Sequence, residues 1–338
     1  MIPQIQEHVS LKNLNTFHIE VKARYFCTCF SEKDIKKLLT TPSFINYPWL
    51  ILGGGSNVLF PNDYKGLVIH NQIPGIQILE EDSHQVVIQA GAGEDWDKFV
   101  DFTVNKGWYG LENLSYIPGN VGACPIQNIG AYGAEVKDTI KEVQTLNPET
   151  LKIECFNNEE CQFGYRSSIF KYKLKDKRII TYVTFVLQKN GNLNLDYGNL
   201  RETVEKKHEI TLKTVRESVI EIRQSKLPEP EELGNAGSFF KNPVVDTKQF
   251  KKLKEKHGEI PHYKVSDNQI KIPAGWLIDQ LGWKGYREGE AGVHQNQALV
   301  LVNYGNARGK DVLKLRDKIK KSVADYFGIE LNTEVNVI

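Results

Sequence analysis

Between Glu112 and Glu135 the chain runs for 22 residues, 113–134, without a charged side chain, in a protein that is 25% Asp, Glu, Lys and Arg. The stretch is no bilayer span, because Pro118, Pro125 and four glycines would leave backbone groups unpaired in lipid. It is not a single core helix either: Gly119, Gly122, Gly130 and Gly133 interrupt any 3.6-residue period. What suits it is a buried, irregular loop whose backbone lies against something flat and only partly polar. Glycine lets a backbone approach a ligand closely, and Asn120, Gln127 and Asn128 can hydrogen-bond its edge. Long loops inside compact domains are usually functional. The plainer alternative is a glycine-rich turn packed within a domain.

A chain of 338 residues can bury a full core and form two or three domains. Lys+Arg 43 against Asp+Glu 42 gives a formal charge of +1, and no Lys/Arg-rich run is interleaved with aromatics. Nucleic acid is therefore not an expected partner, whereas small anions need only local cations. Residues 1–8 lack the basic start and apolar run of a signal peptide, and no later segment could span a bilayer. The expected location is the cytoplasm, away from membranes, and no obligatory protein partner is visible. Cys27, Cys29, Cys124, Cys155 and Cys161 match neither a zinc ribbon nor a C-x-x-C pair, so reduced thiols are expected. The eight histidines form no H-x-H or H-E-x-x-H cluster, and no metal is expected.

Along the chain, 23–30 reads as a strand, Ser31 caps a helix over 32–39, and 49–52 is the next strand. That strand breaks into Gly53-Gly54-Gly55-Ser56-Asn57, followed by Val58-Leu59-Phe60. No Gly-Lys-Ser/Thr follows, and Val58 stands where a Rossmann fingerprint needs its third glycine. A strand–glycine–strand turn can still aim successive N–H groups at a phosphate; the alternative is a tight hairpin. Strands follow at 86–90, 140–146, 151–156 and 178–188, the last apolar enough to be central in its sheet. Helices are expected over 95–106, 212–225, 247–257, 274–281 and 310–327. In the last of these Val312, Leu315, Ile319, Val323 and Tyr326 make the apolar stripe and Gly328 the stop. Leu227-Pro228-Glu229-Pro230 is the best linker candidate, 298–303 a strand, and the closing residues a strand with Ile329, Leu331, Val335 and Val337 on one face and Glu334 on the other. Strand groups with helices on them make an α+β protein.

Four segments then stand out together: the glycine turn at 53–60; Ile117-Pro118-Gly119-Asn120-Val121-Gly122-Ala123; Tyr165-Arg166-Ser167-Ser168-Ile169-Phe170; and Gly234-Asn235-Ala236-Gly237-Ser238-Phe239-Phe240-Lys241-Asn242-Pro243, with Thr333-Glu334-Val335 near the end. In this order and spacing they resemble the UDP-N-acetylenolpyruvoylglucosamine reductase family, flavoenzymes that complete UDP-N-acetylmuramate in bacterial wall synthesis. The resemblance runs from Asn15-Thr16-Phe17 almost to Ile338. It implies a two-part FAD-binding module of the vanillyl-alcohol-oxidase type plus an α+β substrate domain. The parts would be 1–77 with a C-terminal strand at 331–338, then 78–226, then 227–330. It implies non-covalent FAD, with Gly53, Gly54, Gly55, Ser56 and Asn57 at the pyrophosphate and Ile117, Pro118, Gly119, Gly122 and Ala123 along the cofactor. NADPH and the enolpyruvyl sugar nucleotide would use one site in turn, which agrees with the lack of a Rossmann fingerprint. Tyr197, in Asp196-Tyr197-Gly198-Asn199-Leu200, resembles a tyrosine loop that folds over substrate in one subgroup.

The substrate carries an enol ether conjugated to a carboxylate. Hydride addition at its terminal carbon drives negative charge toward that carboxylate, and the adjacent carbon must then take a proton. Arg166 is always charged and can grip a carboxylate through two donors; without its motif it would read as a surface arginine in an ion pair. Ser238 matches the family's proton donor, and an enolate is basic enough to accept from a hydroxyl. Composition alone would leave it a serine in a glycine turn. Glu334, if kept protonated by burial, could donate to the enolate oxygen; otherwise it is a solvated strand carboxylate. Tyr165, Tyr197, Lys226, Asn242, Tyr263, Lys284 and Gln297 match family positions around the substrate, the two lysines suiting a diphosphate. His294 reads as structural. Two rivals remain: another FAD oxidoreductase on the same module, oxidising an alcohol with oxygen, and a non-enzymatic nucleotide-binding module. Arg166, Ser238 and Glu334, each retained in its motif, argue against the second.

Overall fold

A computed structural model describes residues 3–43 and 47–338, which fall into two compact units. The first comprises Met1–Val9, Ala23–Gly54 and Lys65–Ser225; the second comprises Ser10–Lys22, Gly55–Tyr64 and Lys226–Ile338. The sheets are antiparallel or mixed apart from one two-stranded parallel pair, and the helices pack beside them, so the α+β expectation holds.

In the first unit, the Ser31 hydroxyl accepts the Asp34 N–H (3.1 Å) and opens helix α1 (Glu32–Leu39), as its sequence predicts. Ile35 and Leu38 of that helix are fully buried with Cys27, Cys29, Leu67 and Ile69. They cover a four-stranded sheet in the order Gln6–Ser10, Lys22–Cys29, Tyr64–Asn71, Trp49–Leu52, whose last two strands are parallel. Tyr64–Asn71 escapes the sequence reading because its apolar run, Leu67-Val68-Ile69, is short, yet these three residues are almost wholly buried.

The second sheet of this unit runs Ile153–Asn157, Ile140–Leu146, Ile179–Gln188, Gln85–Gly91, Ile76–Glu81, so the apolar strand is central as expected. Against it lies α2 (Trp96–Asn105), capped by Asp95, which accepts the Lys98 N–H at 2.9 Å, and followed by Gly107 at φ 76°. The rings of Trp96, Phe99 and Phe185 stand 5.0–6.2 Å apart at the centre of this core. Burying each stabilises the fold by about 1.5–3 kcal/mol. Two further helices, α3 (Leu200–Glu205) and α4 (Leu212–Lys226), share a smaller cluster of Leu195, Leu200, Val204, Val215, Val219 and Ile222.

The second unit has an antiparallel sheet in the order Gly234–Ser238, Val300–Asn303, Ala291–Val293, Arg287–Glu288. Helices α5 (Thr247–His257), α6 (Ala274–Gln280) and α7 (Gly309–Phe327) accompany it, and Gly328 at φ 64° ends the last. Two expectations need correction. Phe327, not Tyr326, completes the buried stripe of α7: Tyr326 is 52% exposed, because a step of four from Val323 lands on Phe327. The closing segment is not one strand. Only Asn336–Val337 is extended in a ladder, parallel to Val58–Leu59, and Thr333 makes a single bridge to Phe240. The alternation therefore fails, and Val337 is 39% exposed while Ile329, Leu331 and Val335 are buried.

Candidate active site

The uncharged stretch is less irregular than its composition predicts. It holds 3-10 turns at Glu112–Leu114 and Val121–Ala123 and a hairpin pairing Gly130–Ala131 with Ala134–Glu135. Its amides are also less available: Asn120 Nδ2 donates to the Gly93 carbonyl (2.6 Å), and buried Asn128 links the Gly164 carbonyl to the Lys137 N–H. Within the first unit the glycine turn packs directly on this loop. A Cβ on Gly54 would meet Asn120 Oδ1 at 2.9 Å and Gly119 Cα at 3.1 Å, and one on Gly122 would meet the Ala92 Cβ at 2.6 Å. The glycines are therefore required by the approach of protein segments to one another. What the loop leaves outward is uncharged: Gly54, Pro118 and Ala123 are exposed, and Ile117 and Gly119 partly so. A backbone-rich, apolar face of this kind fits the flat ring system of a flavin, the group the sequence expectation places here.

Arg166 sits at the corner of a tight turn. Gly164 and Ser167 exchange both backbone hydrogen bonds (3.0 and 3.1 Å), leaving Tyr165 and Arg166 as the two central residues. Arg166 takes φ 51°, a left-handed value uncommon for arginine. Its Nη2 donates to the Gly130 carbonyl (2.7 Å), and its guanidinium stands 5.9 Å from the Tyr165 ring centre. Tyr165 itself is 40% exposed. Tyr197, also exposed, packs edge-on to Tyr132 with ring centres 6.1 Å apart. Asn113 fastens this corner by donating to the carbonyls of Tyr132 (2.7 Å) and Asn194 (2.8 Å).

In the second unit the segment that follows Ser238 is tied by backbone bonds to the segment around Glu334. The Glu334 N–H donates to the Phe239 carbonyl (2.8 Å), and Lys241 donates to Asn332 (2.8 Å). Asn57 Nδ2 reaches the Glu334 carbonyl (3.4 Å), and Asn336 bonds the Asn57 carbonyl through both its N–H and its amide (3.1 Å each). Gly55, at φ 64°, lies so close to Leu14 that a Cβ would fall 2.0 Å from its carbonyl oxygen. Ser238 follows a bulge: Asn235 faces Val302 and Ser238 faces Val300, three residues against two, with Gly237 at φ 65° supplying the extra one. Asn235 Oδ1 accepts the Gly237 N–H (2.9 Å) and holds the bulge. Ser238 and Glu334 are both half-buried.

The remaining expected substrate contacts have protein roles in this structure. Asn242 Oδ1 accepts the Ala274 N–H (2.9 Å) at the start of α6, and Lys284 pairs with Asp279 (2.7 Å). Gln297 accepts weakly from the Leu299 N–H (3.5 Å). Tyr263 is exposed with the Lys271 ammonium 5.8 Å from its ring centre, and Lys226 is exposed at the end of α4. His294 is buried; desolvation lowers its pKa and keeps it neutral, in line with a structural residue.

The sequence reading passes over Asp97, Arg216 and Arg223. Arg223 donates from Nε to the Tyr116 carbonyl (2.9 Å). Burial pushes its guanidinium below the usual arginine value, with Arg166 adding to the effect and Tyr132 and Asp97 opposing it. The available signal was positional: Arg216 follows Val215 beside the buried stripe of α4, and Asp97 and Asp101 lie four apart on α2.

Residues 23–154 match the family profile of an FAD binding domain, and residues 229–338 that of the UDP-N-acetylenolpyruvoylglucosamine reductase C-terminal domain. With the α+β fold, these make the protein an FAD-containing oxidoreductase. A UDP-N-acetylenolpyruvoylglucosamine reductase of Flavobacterium johnsoniae is 49% identical over 338 residues, spanning 99% of this chain and 100% of the relative. One from Bacteroides fragilis is 46% identical over 334 residues, with 99% and 100% covered. The chain belongs to the UDP-N-acetylenolpyruvoylglucosamine reductase family. The crystal structure of the reductase from Thermus caldophilus superposes with a TM-score of 0.69 over 99% of both chains at 24% identity, a likeness of fold.

Proposed function

We propose that this chain reduces the enolpyruvyl group of UDP-N-acetylglucosamine enolpyruvate to UDP-N-acetylmuramate with NADPH as reductant, in peptidoglycan precursor synthesis and so in wall biogenesis, cell shape and division. The observation that carries the reading is the backbone tie between the Ser238-Phe239 segment and Glu334, in a chain that aligns with reductases of this name over nearly its whole length. FAD, held by residues 53–57 and the 117–123 loop, would supply the two-electron hydride chemistry that links NADPH to the enol ether.

The chain's own residues do the rest. Ile117, Pro118, Gly119, Gly122 and Ala123 line the cofactor, and the turn from Gly53 to Asn57 holds its pyrophosphate with backbone N–H groups. Arg166 grips the substrate carboxylate as negative charge moves into it, and Tyr165 beside it bounds the same region. Ser238 gives its hydroxyl proton to the carbon next to the carboxylate and regains one from solvent, and Glu334 in its protonated form donates to the enolate oxygen. Lys226 and Lys284 meet the diphosphate, Lys284 exchanging its Asp279 partner for phosphate, while Tyr197 and Tyr263 cover the nucleotide and Asn242 and Gln297 flank it. The domain division expected from the sequence goes with this reading, 227–330 being the substrate part. No helix among the described residues is long and apolar enough to cross a membrane, and we place the reaction in the cytoplasm.

The test is anaerobic. NADPH is added to the purified holoenzyme, the visible flavin band is followed, and UDP-N-acetylglucosamine enolpyruvate is then added. Bleaching followed by recovery on addition of the sugar nucleotide is the expected result. Bleaching without recovery, and fast reoxidation in air instead, would favour an alcohol oxidase on the same module. Absence of a flavin band after FAD addition would overturn the reading.

A further inference from the structure

Tyr116 immediately precedes the loop assigned to the cofactor, and its backbone lies at φ 61°, where a residue with a Cβ is strained by roughly 1–2 kcal/mol. Three side chains from two helices hold it there. The Asp97 carboxylate, on α2, accepts the Tyr116 N–H; Arg223, on α4, donates to its carbonyl (2.9 Å); and Gln224 donates to its phenolic oxygen (3.1 Å). Asp97 is held in turn by a two-pronged contact with Arg216 of α4 (2.6 and 2.8 Å), whose Nε also meets Asp101 (3.0 Å). Arg216 is only 9% exposed while the Asp97 side chain keeps 28%, so this ion pair is part-buried between the two helices. A two-pronged charge pair of this kind fixes direction as well as position. It does more than join two helices, because the Asp97 Oδ1 that meets Arg216 Nη1 also accepts one backbone N–H of the loop.

We infer that Asp97, oriented by Arg216, is a positioning residue for the cofactor: it holds Tyr116 in the left-handed conformation that sets the course of Ile117-Pro118-Gly119. The inference rests on the reading that this loop lines FAD. Without the clamp Tyr116 relaxes toward a right-handed backbone and the three residues after it swing away from the course that faces the flavin.

The test measures FAD dissociation from the holoenzyme by the return of flavin fluorescence on dilution, with thermal unfolding recorded alongside. Asp97→Ala is expected to weaken FAD binding by roughly tenfold or more. Asp97→Asn, which keeps the acceptor but not the charge, should fall in between, and it serves if the alanine variant does not fold. The deciding variant is Asp97→Ala combined with Tyr116→Gly. Glycine reaches φ 61° unaided, so FAD binding should return to within about threefold of wild type, although Arg216 keeps only its contact with Asp101 and the melting temperature stays low. If affinity follows the melting temperature in every variant and glycine restores nothing, Asp97 is a packing residue and the inference fails. Ala123→Arg, on the exposed face of the same loop, separates this from failure of the underlying reading. If it leaves FAD affinity unchanged, the loop does not line the cofactor, and the inference falls with that assignment whatever the Asp97 variants do.

Discussion

The turn that carries Arg166 and the bulge that carries Ser238 solve the same problem in opposite ways. Each presents one side chain of the proposed site from backbone that departs from a regular ladder. At 164–167 the functional residue takes the left-handed backbone itself, φ 51°, and is held there by the Gly130 carbonyl and the exchanged bonds of Gly164 and Ser167. At 234–238 the left-handed position falls to Gly237, one residue earlier, with open space where its Cβ would be. Strain is thus stored on the proposed carboxylate anchor and avoided at the proposed proton donor. The difference makes chemical sense: an arginine fork acts only if its direction is fixed, whereas a serine hydroxyl can rotate to its acceptor.

This contrast can be broken by experiment. A large loss confined to one half-reaction is expected from Ser238→Ala, which should slow oxidation of reduced flavin by the sugar nucleotide by at least roughly 10²-fold while leaving reduction by NADPH intact. Equal losses in both half-reactions, measured by stopped flow, would remove Ser238 from the proton-donor role. Arg166→Lys keeps the charge and loses the fork, so kcat/KM for the sugar nucleotide should fall by about 10- to 100-fold. Arg166→Gly should abolish turnover yet leave unfolding free energy within about 1 kcal/mol of wild type, since the left-handed strain goes with the side chain. Gly237→Ala has no steric clash to explain any loss. It should destabilise by about 1 kcal/mol through the backbone alone and lower kcat by realigning Ser238. A variant as stable as wild type would show that the bulge tolerates a side chain and that the contrast is false. Asn242→Ala should remove the bond to the Ala274 N–H and destabilise by about 1 kcal/mol in urea unfolding.

The smallest effect is in pH. Burial alone would raise the Asp97 carboxyl, but the Arg216 fork and the Tyr116 N–H outweigh it and hold it below the usual carboxylate range. A depressed folded pKa gives stability that is complete above the unfolded value and lost as pH falls through the folded one. FAD release from the wild type should therefore quicken on acidification below the ordinary aspartate range, and this acid limb should shrink in Asp97→Asn.

Much of the architecture was legible because it rests on periodicity and caps. Ser31, Asp95 and Gly328 mark helix ends where the sequence places them, and the apolar density of Ile179–Gln188 put that strand at the centre of its sheet. Tyr326 and Phe327 show the limit: adjacent aromatics differ by about 100° on a helix, and only packing decides which is buried. In the same way, no pattern in 113–134 announced that Asn120 and Asn128 would bond neighbouring loops. Among the proposed site residues, Arg166, Ser238 and Glu334 stand out only through their motifs, because one lies in a turn, one after a bulge and one in an irregular segment. Asp97 and Arg216 were missed since charges on helices read as solvent-facing until a partner helix is known.

Asn57 bonds the Glu334 carbonyl across 277 positions of sequence, and Asn336 returns to Asn57 over a similar span. Bringing such distant segments together carries a loop-closure entropy that local hairpins and helices do not meet, and such contacts form slowly. The glycine turn is therefore expected to acquire its last partners late in folding, after the helices and local sheets have formed. A protein that joins these segments late is expected to be most open to misassembly at the place where its proposed chemistry will be completed.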